Sequence, residues 1–552
     1  MLDPIVGSNR IAAANLDAGA ALQILMGHFD YIIVGAGSAG CVLANRLSED
    51  SRKSVLLIEA GERDWSPYIH VPAAIVKAIG NPKLDWMHLT EPDASRDGRV
   101  DLWSAGKGLG GSSSINGMLY VRGAPEDFDA WAAMGNPGWS YTDVAPLFRR
   151  MESTTFGQDQ VRGRDGPLVI EGLRSRHPLG SAFEAAAVEA GWIANSDYNG
   201  RIQEGIGAPQ VTQKRGRRFS VARGYLNPAR QRQNLTVLTK AQVDRLMFEG
   251  RRCIGVDIRD RGMVRGTEIV LSAGAMGSPK LLMLSGIGPS AHLAEHGIKL
   301  VMANPHVGGN VQEHPHVQIS HDVTVRTYNM DINGPRVPMH LLNWLLFRRG
   351  PVTSAYPHVV GFFRSDPALN APDMQLMLGP FAFALTPGGV VPYLKPAVTA
   401  VLALSYPKSK GRISLRGADP ELPPRIELSM LDHPDDVAAL IRALRVVRKV
   451  FVQPAFAQYS LGERLPGPTL TSDAELEAYA RATSWPTNHP MGGCRMGRAG
   501  EGVVDERLRV RGVDGLRVVD ASVMPRHVSG NINGVVVMIA ENASDMIRQD
   551  AR

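Results

Sequence analysis

Gly35, Gly37 and Gly40 stand in the run Val34-Gly35-Ala36-Gly37-Ser38-Ala39-Gly40, a G-x-G-x-x-G spacing that follows the apolar strand pattern Phe29–Val34 and opens a helical pattern running to Leu47. In that position Gly35 makes the tight turn and Gly37 lets the backbone approach a pyrophosphate. Gly40 lets helix and strand pack closely, and the free N–H groups of the helix start, from Ser38 onward, face the phosphates. Glu59 ends the second strand pattern, Ser54–Ile58, where a carboxylate can accept hydrogen bonds from both ribose hydroxyls. The unit reads as a dinucleotide-binding βαβ and leaves NAD and FAD undistinguished.

Other reactive residue types are less selective. Fifteen histidines offer a base that works near neutral pH, and composition alone does not choose among them. His314 and His316 share one face if their segment is a strand, a metal-like spacing, but no third ligand accompanies them, so no metal is expected. The three cysteines, Cys41, Cys253 and Cys494, form neither a CxxC pair nor a disulfide framework, which fits a reducing compartment. The net charge of +6 comes from scattered residues, so no nucleic acid partner is expected. Short basic clusters, Lys214, Arg215, Arg217 and Arg218, and the pair Arg348 and Arg349, read as solvated faces.

Two domains are expected from 552 residues with 44% apolar and 21% charged composition, values that exclude a disordered or fibrous chain. Residues 1–27 read as an N-terminal extension without a basic-then-apolar signal. No apolar stretch approaches the ~20 residues of a membrane span. A cytoplasmic protein without a transmembrane anchor is expected. A peripheral membrane contact through Leu341–Phe347 and the arginines after it is the lesser alternative to an ordinary buried helix there. Strand patterns at Leu235–Thr239, Gln242–Phe248 and Glu268–Leu271 read as a small antiparallel insertion feeding back into a parallel sheet, and β-rich segments at 373–380 and 397–405 as a mixed sheet. Arg517–Asp520 reads as a last buried strand before a closing helix from Gly534.

Gly106-Lys107-Gly108-Leu109-Gly110-Gly111-Ser112-Ser113-Ser114-Ile115-Asn116-Gly117 resembles the first signature of the glucose–methanol–choline (GMC) oxidoreductases. Gly274-Ala275-Met276-Gly277-Ser278-Pro279 through Leu284-Ser285-Gly286-Ile287-Gly288-Pro289 resembles the second, and the likeness runs from Asp30 to Ile547, nearest the choline and alcohol dehydrogenase branch. The resemblance implies FAD and an α/β fold: a Rossmann-like FAD-binding domain (28–149, 208–309 and 490–552) interleaved with an α+β substrate-binding domain (150–207 and 310–489) containing a mixed or antiparallel sheet. Gly110, Gly111 and Ser112 suit a loop whose backbone N–H and hydroxyl groups meet phosphate and flavin atoms. Asn116 and Gly117 are implied near the flavin ring, Val243 near the adenine, and Asp520 and Ala521 on the ribityl side. Relatives that bond FAD through histidine carry it where Ile115 stands, so FAD is expected to be dissociable. Many relatives place Arg where Ala105 stands, and one contact is thereby missing.

The implied reaction is oxidation of an alcohol to the aldehyde by hydride transfer to flavin N5. Hydride leaves readily only if the hydroxyl proton is removed as well, so a base is required. His489, in His489-Pro490-Met491-Gly492-Gly493-Cys494-Arg495-Met496-Gly497, matches the family's catalytic histidine, and Asn531 the partner that holds the substrate oxygen. Asn533 is a candidate flavin contact, and the alternative is that both asparagines cap the closing helix. Relatives that oxidise choline carry Glu where His316 stands, so a cationic substrate loses its partner here. Trp65, Trp86, Trp344, Tyr356 and Phe362, in 65–90 and 340–365, favour a primary, apolar or aromatic alcohol. The acceptor, a quinone or dye or O2, and the oligomeric state are left open. Hydroxynitrile lyases of the same fold are the competing reading.

Overall fold

A computed structural model describes residues 27–331, 334–354, 356–386 and 389–551, so the expected extension at 1–27 lies, apart from Gly27, outside the described residues. The runs Tyr-Ile-Ile-Val at 31–34, Val-Leu-Leu-Ile at 55–58 and Glu-Ile-Val-Leu at 268–271 are apolar almost throughout, which suits strands covered on both faces. They form the centre of a seven-stranded sheet in the order Leu235–Leu238, Val55–Ile58, His28–Val34, Gly262–Leu271, Arg252–Ile258, Val243–Glu249, with Leu516–Val518 beside the end of Gly262–Leu271. The first four pair in parallel. Gly262–Leu271, Arg252–Ile258 and Val243–Glu249 form an antiparallel meander. Leu235–Leu238 thus belongs to the parallel edge rather than to the antiparallel insertion expected from the sequence. Arg252–Ile258, in which adjacent apolar residues Cys253 and Ile254 blur the alternation, supplies a strand not expected from the sequence.

Helices Ser38–Leu47 and Asn533–Asp550 pack against each other beside this sheet. His28–Val34 lies between Val55–Ile58 on one side and Gly262–Leu271 on the other, so strand order reverses at its C-terminal end. That reversal opens the crevice in which α/β sheets bind ligands.

A second seven-stranded sheet, antiparallel in every pairing, runs Ser460–Leu465, Pro315–Val323, Ala397–Leu404, Met374–Gly379, Val359–Phe363, Gly205–Gly207, with Trp485–Pro486 against the start of Pro315–Val323. Strand alternation divides its residues cleanly. Val317, Ile319, Leu376, Leu378 and Leu402 enter a core with the helices Pro178–Glu189, Pro434–Phe451 and Asp473–Thr483. Met377, Val401 and Ala403 face the other way, toward Leu119 and Val121, and His316 and Gln375 share their parity. The two polar residues are therefore delivered to the face that looks at the first sheet's domain.

Candidate active site

The glycine loop folds as its spacing requires. Gly35 has φ +100°, and a Cβ there would lie 2.5 Å from the Ser272 carbonyl oxygen. A Cβ on Gly40 would lie 1.9 Å from the Gly35 oxygen. Gly37 differs, because its Cβ would meet nothing nearer than 3.9 Å. Packing thus explains Gly35 and Gly40, while the open space above Gly37 suits close approach of a ligand such as the pyrophosphate of FAD.

The second glycine run lies directly against the first. Gly110 N–H donates to the Ala36 oxygen at 2.8 Å, and a Cβ on Gly111 would stand 2.7 Å from Gly37 Cα. Glu59 clamps the two loops. One carboxylate oxygen accepts from Ala36 N–H at 2.8 Å, the other from Gly61 at 2.8 Å and Gly108 at 3.0 Å. Burial raises its pKa, and these donors counteract that rise. Asp520 makes the equivalent joint across the crevice. It accepts from Gly274 N–H at 2.9 Å, Ser278 Oγ at 2.5 Å and Ser522 N–H at 2.8 Å, and burial raises its pKa as well. Ala521 follows, and its carbonyl accepts from Gly492 N–H. The exposed Ser112 hydroxyl accepts from Gly106 N–H at 3.1 Å. Asn116 Oδ1 accepts from Met118 N–H at 3.0 Å and Arg218 at 2.7 Å, and Gly117 lies against the Tyr356 carbonyl. Val243 is buried two residues beyond Ala241, whose N–H donates to the Glu59 carbonyl. Ile115 is buried with Ile69, Ala78 and Leu84.

The closing helix begins at Asn533, with Ile532 at its N-cap and no side-chain cap, so neither asparagine serves as a cap. Asn533 instead donates to Ser38 Oγ at 2.7 Å and ties the two helix starts together. Their N-termini converge where negative charge is best accepted.

His489 is fixed by pairing of 485–491 alongside 312–316. Its backbone N–H meets both oxygens of Glu313, each at 2.9 Å. Glu313 also accepts from Trp103 Nε1 at 2.7 Å and Thr487 Oγ1 at 2.9 Å, and burial pushes its carboxyl up to about 7. The ring of His489 lies between two partners, His314 Nδ1 at 3.1 Å from its own Nδ1 and Asn531 Nδ2 at 2.8 Å from its Nε2. Gln375 Nε2 donates to Asn531 Oδ1 at 3.0 Å, which turns the asparagine's nitrogen toward His489. An amide nitrogen can only donate, so Nε2 is the unprotonated nitrogen and the ring proton sits on Nδ1. Burial drives the imidazoles of His489 to about 4 and of His316 and His527 to about 3, with His314 also lowered. The His527 ring lies 3.7 Å from that of His314, centre to centre. All four are neutral bases near pH 7.

Glu313, Gln375 and His527 were not foreseen as site residues. Glu313 stood in plain view between Gln312 and His314, and a carboxylate opening a strand pattern was the only available signal. Of the five aromatics, Trp65 and Trp86 are exposed, and Trp344 and Phe362 are buried. Phe362 and Tyr356 lie beside the site: Phe362 is paired with Gln375 across the sheet, and the Tyr356 hydroxyl donates to the Met377 and Thr399 oxygens at 2.9 and 2.8 Å. Arg218, expected on a solvated face, is fully buried and donates to the Ile69 and Ser113 carbonyls and Asn116.

Among the described residues one group, His292, Glu295 and His296, could bring metal-ligand atoms together. His292 Nε2 accepts from Leu415 N–H at 3.0 Å, so Nδ1 carries the ring proton and points at Glu295 instead of a metal.

A crevice at a strand-order reversal, two glycine loops and a neutral histidine held by an asparagine define a dinucleotide-dependent oxidoreductase. Residues 29–316 and 407–540 match the two parts of the GMC oxidoreductase family, and the chain belongs to that family. It is an FAD-dependent oxidoreductase acting on CH–OH donors, with a small-molecule substrate and an electron acceptor. It is 41% identical to an alcohol dehydrogenase [acceptor] of Pseudomonas putida, over 94% of this chain and 95% of that one. It is 40% identical to an oxygen-dependent choline dehydrogenase of Brucella canis, with the same coverage. Its fold superposes on pyridoxine 4-oxidase from Mesorbium loti with a TM-score of 0.86 and 32% identity, covering 95% of this chain and 99% of the other. No helix among the described residues is long and apolar enough to cross a membrane.

Proposed function

We propose that the chain oxidises a primary, apolar or aromatic alcohol to the aldehyde, with His489 as general base and Asn531 positioning the hydroxyl. The carrying observation is the buried, neutral His489 whose Nε2 faces Asn531 Nδ2 at 2.8 Å. A substrate hydroxyl entering this gap donates its proton to Nε2 and accepts from the second N–H of the asparagine amide. Glu313, ionised as pH rises above about 7, holds the histidine's backbone N–H, and His314 meets the ring's other nitrogen, Nδ1. FAD, when bound, takes up the hydride at N5.

The cradle residues divide by what they can reach. Gly35, Gly37, Ser38, Gly40, Gly110, Gly111 and Ser112 line the loops suited to the phosphates, and Glu59 Oε2, which accepts a single N–H, has a lone pair left for a ribose hydroxyl. Val243 serves the adenine end, and Asn116, Gly117, Asp520, Ala521 and Asn533 the ribityl and ring end. Ile115 cannot form a histidyl bond, so the cofactor is dissociable. Segments 28–149, 208–309 and 490–552 hold FAD, and 150–207 and 310–489 shape the substrate side. His489 closes the second set and Asn531 lies in the first, so the reacting pair spans the join. A neutral His316 offers choline's cation no carboxylate, and Gln375 and Tyr356 beside an otherwise apolar face suit an uncharged alcohol. A quinone, dye or O2 reoxidises the flavin.

Anaerobic bleaching of the bound flavin tests this directly. Benzyl-type and linear primary alcohols should bleach it quickly and choline slowly, and air or a quinone analogue should then restore the colour. If no alcohol bleaches the flavin while a cyanohydrin is cleaved, the lyase reading replaces this one.

A further inference from the structure

Leu341–Phe347, expected to be an ordinary buried helix with a membrane-surface contact as the lesser alternative, belongs to the helix Val337–Phe347, and of its 11 residues only Trp344 is buried. Leu342, Leu345, Leu346 and Phe347 are more than half exposed, Phe347 by 64%. Trp344 pins the helix from below, since its Nε1 donates to the Gly216 oxygen at 2.8 Å and its ring lies 4.1 Å under the Arg348 guanidinium. A second apolar set, Trp65, Val76 and Ile79, is exposed on the neighbouring segment, which touches this one where Pro72–Ala74 meets Pro351–Thr353. Apolar patches of this extent on a soluble chain mark contact with another phase or molecule.

Charge decides which. The three segments that meet here, 65–84, 213–218 and 334–350, contain no aspartate or glutamate. Lys77, Lys214, Arg215, Arg336 and Arg349 are exposed in them without an ion pair to another described residue, and the carboxylates that reach these segments from outside are Glu171, at the Arg215 backbone N–H, and Asp331, beside His340. Elsewhere in the molecule arginines are paired with carboxylates again and again, as at Arg122–Glu152, Arg259–Asp244 and Arg448–Glu463. An apolar helix face rimmed by unpaired cations is the pattern of a helix lying in the plane of a membrane interface. At 1.5 Å per residue it is far too short to cross one.

We propose that this face docks on an anionic lipid bilayer, with Leu342, Leu346 and Phe347 seated among the acyl-chain ends and Arg349, Lys214, Arg215 and Lys77 against lipid phosphates. Docking of this kind is independent of which acceptor reoxidises the flavin.

The test is co-sedimentation of the full-length holoenzyme with vesicles of phosphatidylcholine alone and of phosphatidylcholine and phosphatidylglycerol in equal parts. Binding to the mixed vesicles should weaken ~5-fold for each cation lost, as in Lys214→Gln and Arg349→Gln, and should fall as salt is raised. Leu346→Gln combined with Phe347→Gln should weaken binding ~10-fold or more, while flavin reduction by alcohol in vesicle-free buffer stays unchanged. Equal sedimentation of wild type and both sets of variants would overturn the proposal. So would absence of vesicle binding together with a dimer in solution that the Leu346→Gln, Phe347→Gln protein cannot form, because the face would then belong to a second copy of the chain.

Discussion

Two buried polar regions meet at the crevice, and they handle burial in opposite ways. Glu59 and Asp520 are carboxylates whose oxygens are supplied with N–H and hydroxyl donors from Ala36, Gly61, Gly108, Gly274, Ser278 and Ser522. His314 packs its ring against those of His489 and His527, His316 is buried nearby, and burial is the largest influence on all four imidazoles. The first region is made to keep fixed acceptors in place and so to hold loops at a set spacing. The second is made to keep bases neutral and ready for a proton, with Glu313 as the one carboxyl group among them.

The contrast can be broken most severely at Glu59. Glu59→Ala strands three buried N–H groups, each at a cost of about 1–3 kcal/mol. FAD should be lost on gel filtration and the thermal midpoint should fall, whereas Glu59→Gln, which keeps one acceptor oxygen, should lose less of both. Retention of FAD by the alanine variant would remove Glu59 from the clamp.

On the histidine side the larger effect belongs to chemistry. His489→Ala should keep its flavin but slow reduction by alcohol ~100-fold or more, as expected for a lost general base, in single-turnover stopped flow. Acid sharpens the difference between the regions. The folded values of His489, His316 and His527 lie below the ~6.5 of an unfolded histidine, so the unfolded state binds more protons between the two. Their stabilising effect is complete above about pH 6.5 and is lost as pH falls toward about 4 for His489 and about 3 for His316 and His527, with a slope of up to ~1.4 kcal/mol per pH unit for each group. Denaturant titrations at stepped pH should show this, and replacing His527 by Phe should flatten the slope. The smallest effect is at Asn531. Asn531→Ala removes one donor from the substrate oxygen and should slow flavin reduction roughly 10-fold, with a matching fall in kcat/KM.

How legible each region was in the chain follows from the range of its contacts. The glycine loop, the strand before it and the helix after it are local, and the expected bounds differ from those observed by a residue. The alternation that puts Gln375 and His316 on one face was readable once their segments were strands, but which face had a neighbour was not. The same gap misled the reading of Val337–Phe347, whose run of leucines is that of a buried helix. Leu235–Leu238 likewise looks the same in parallel and antiparallel company.

By itself the amino-acid sequence determined the βαβ unit with Glu59, the position of the closing helix, and which histidine and asparagine resemble a catalytic pair, because these depend on spacing within short windows or on long matched motifs. Only the tertiary structure decided that Glu313 grips His489 from 176 residues away, that Gln375 orients Asn531, that Arg218 is buried, and that an apolar helix stands uncovered among unpaired cations. Burial and orientation are properties of surroundings assembled from distant segments, and no local window contains them.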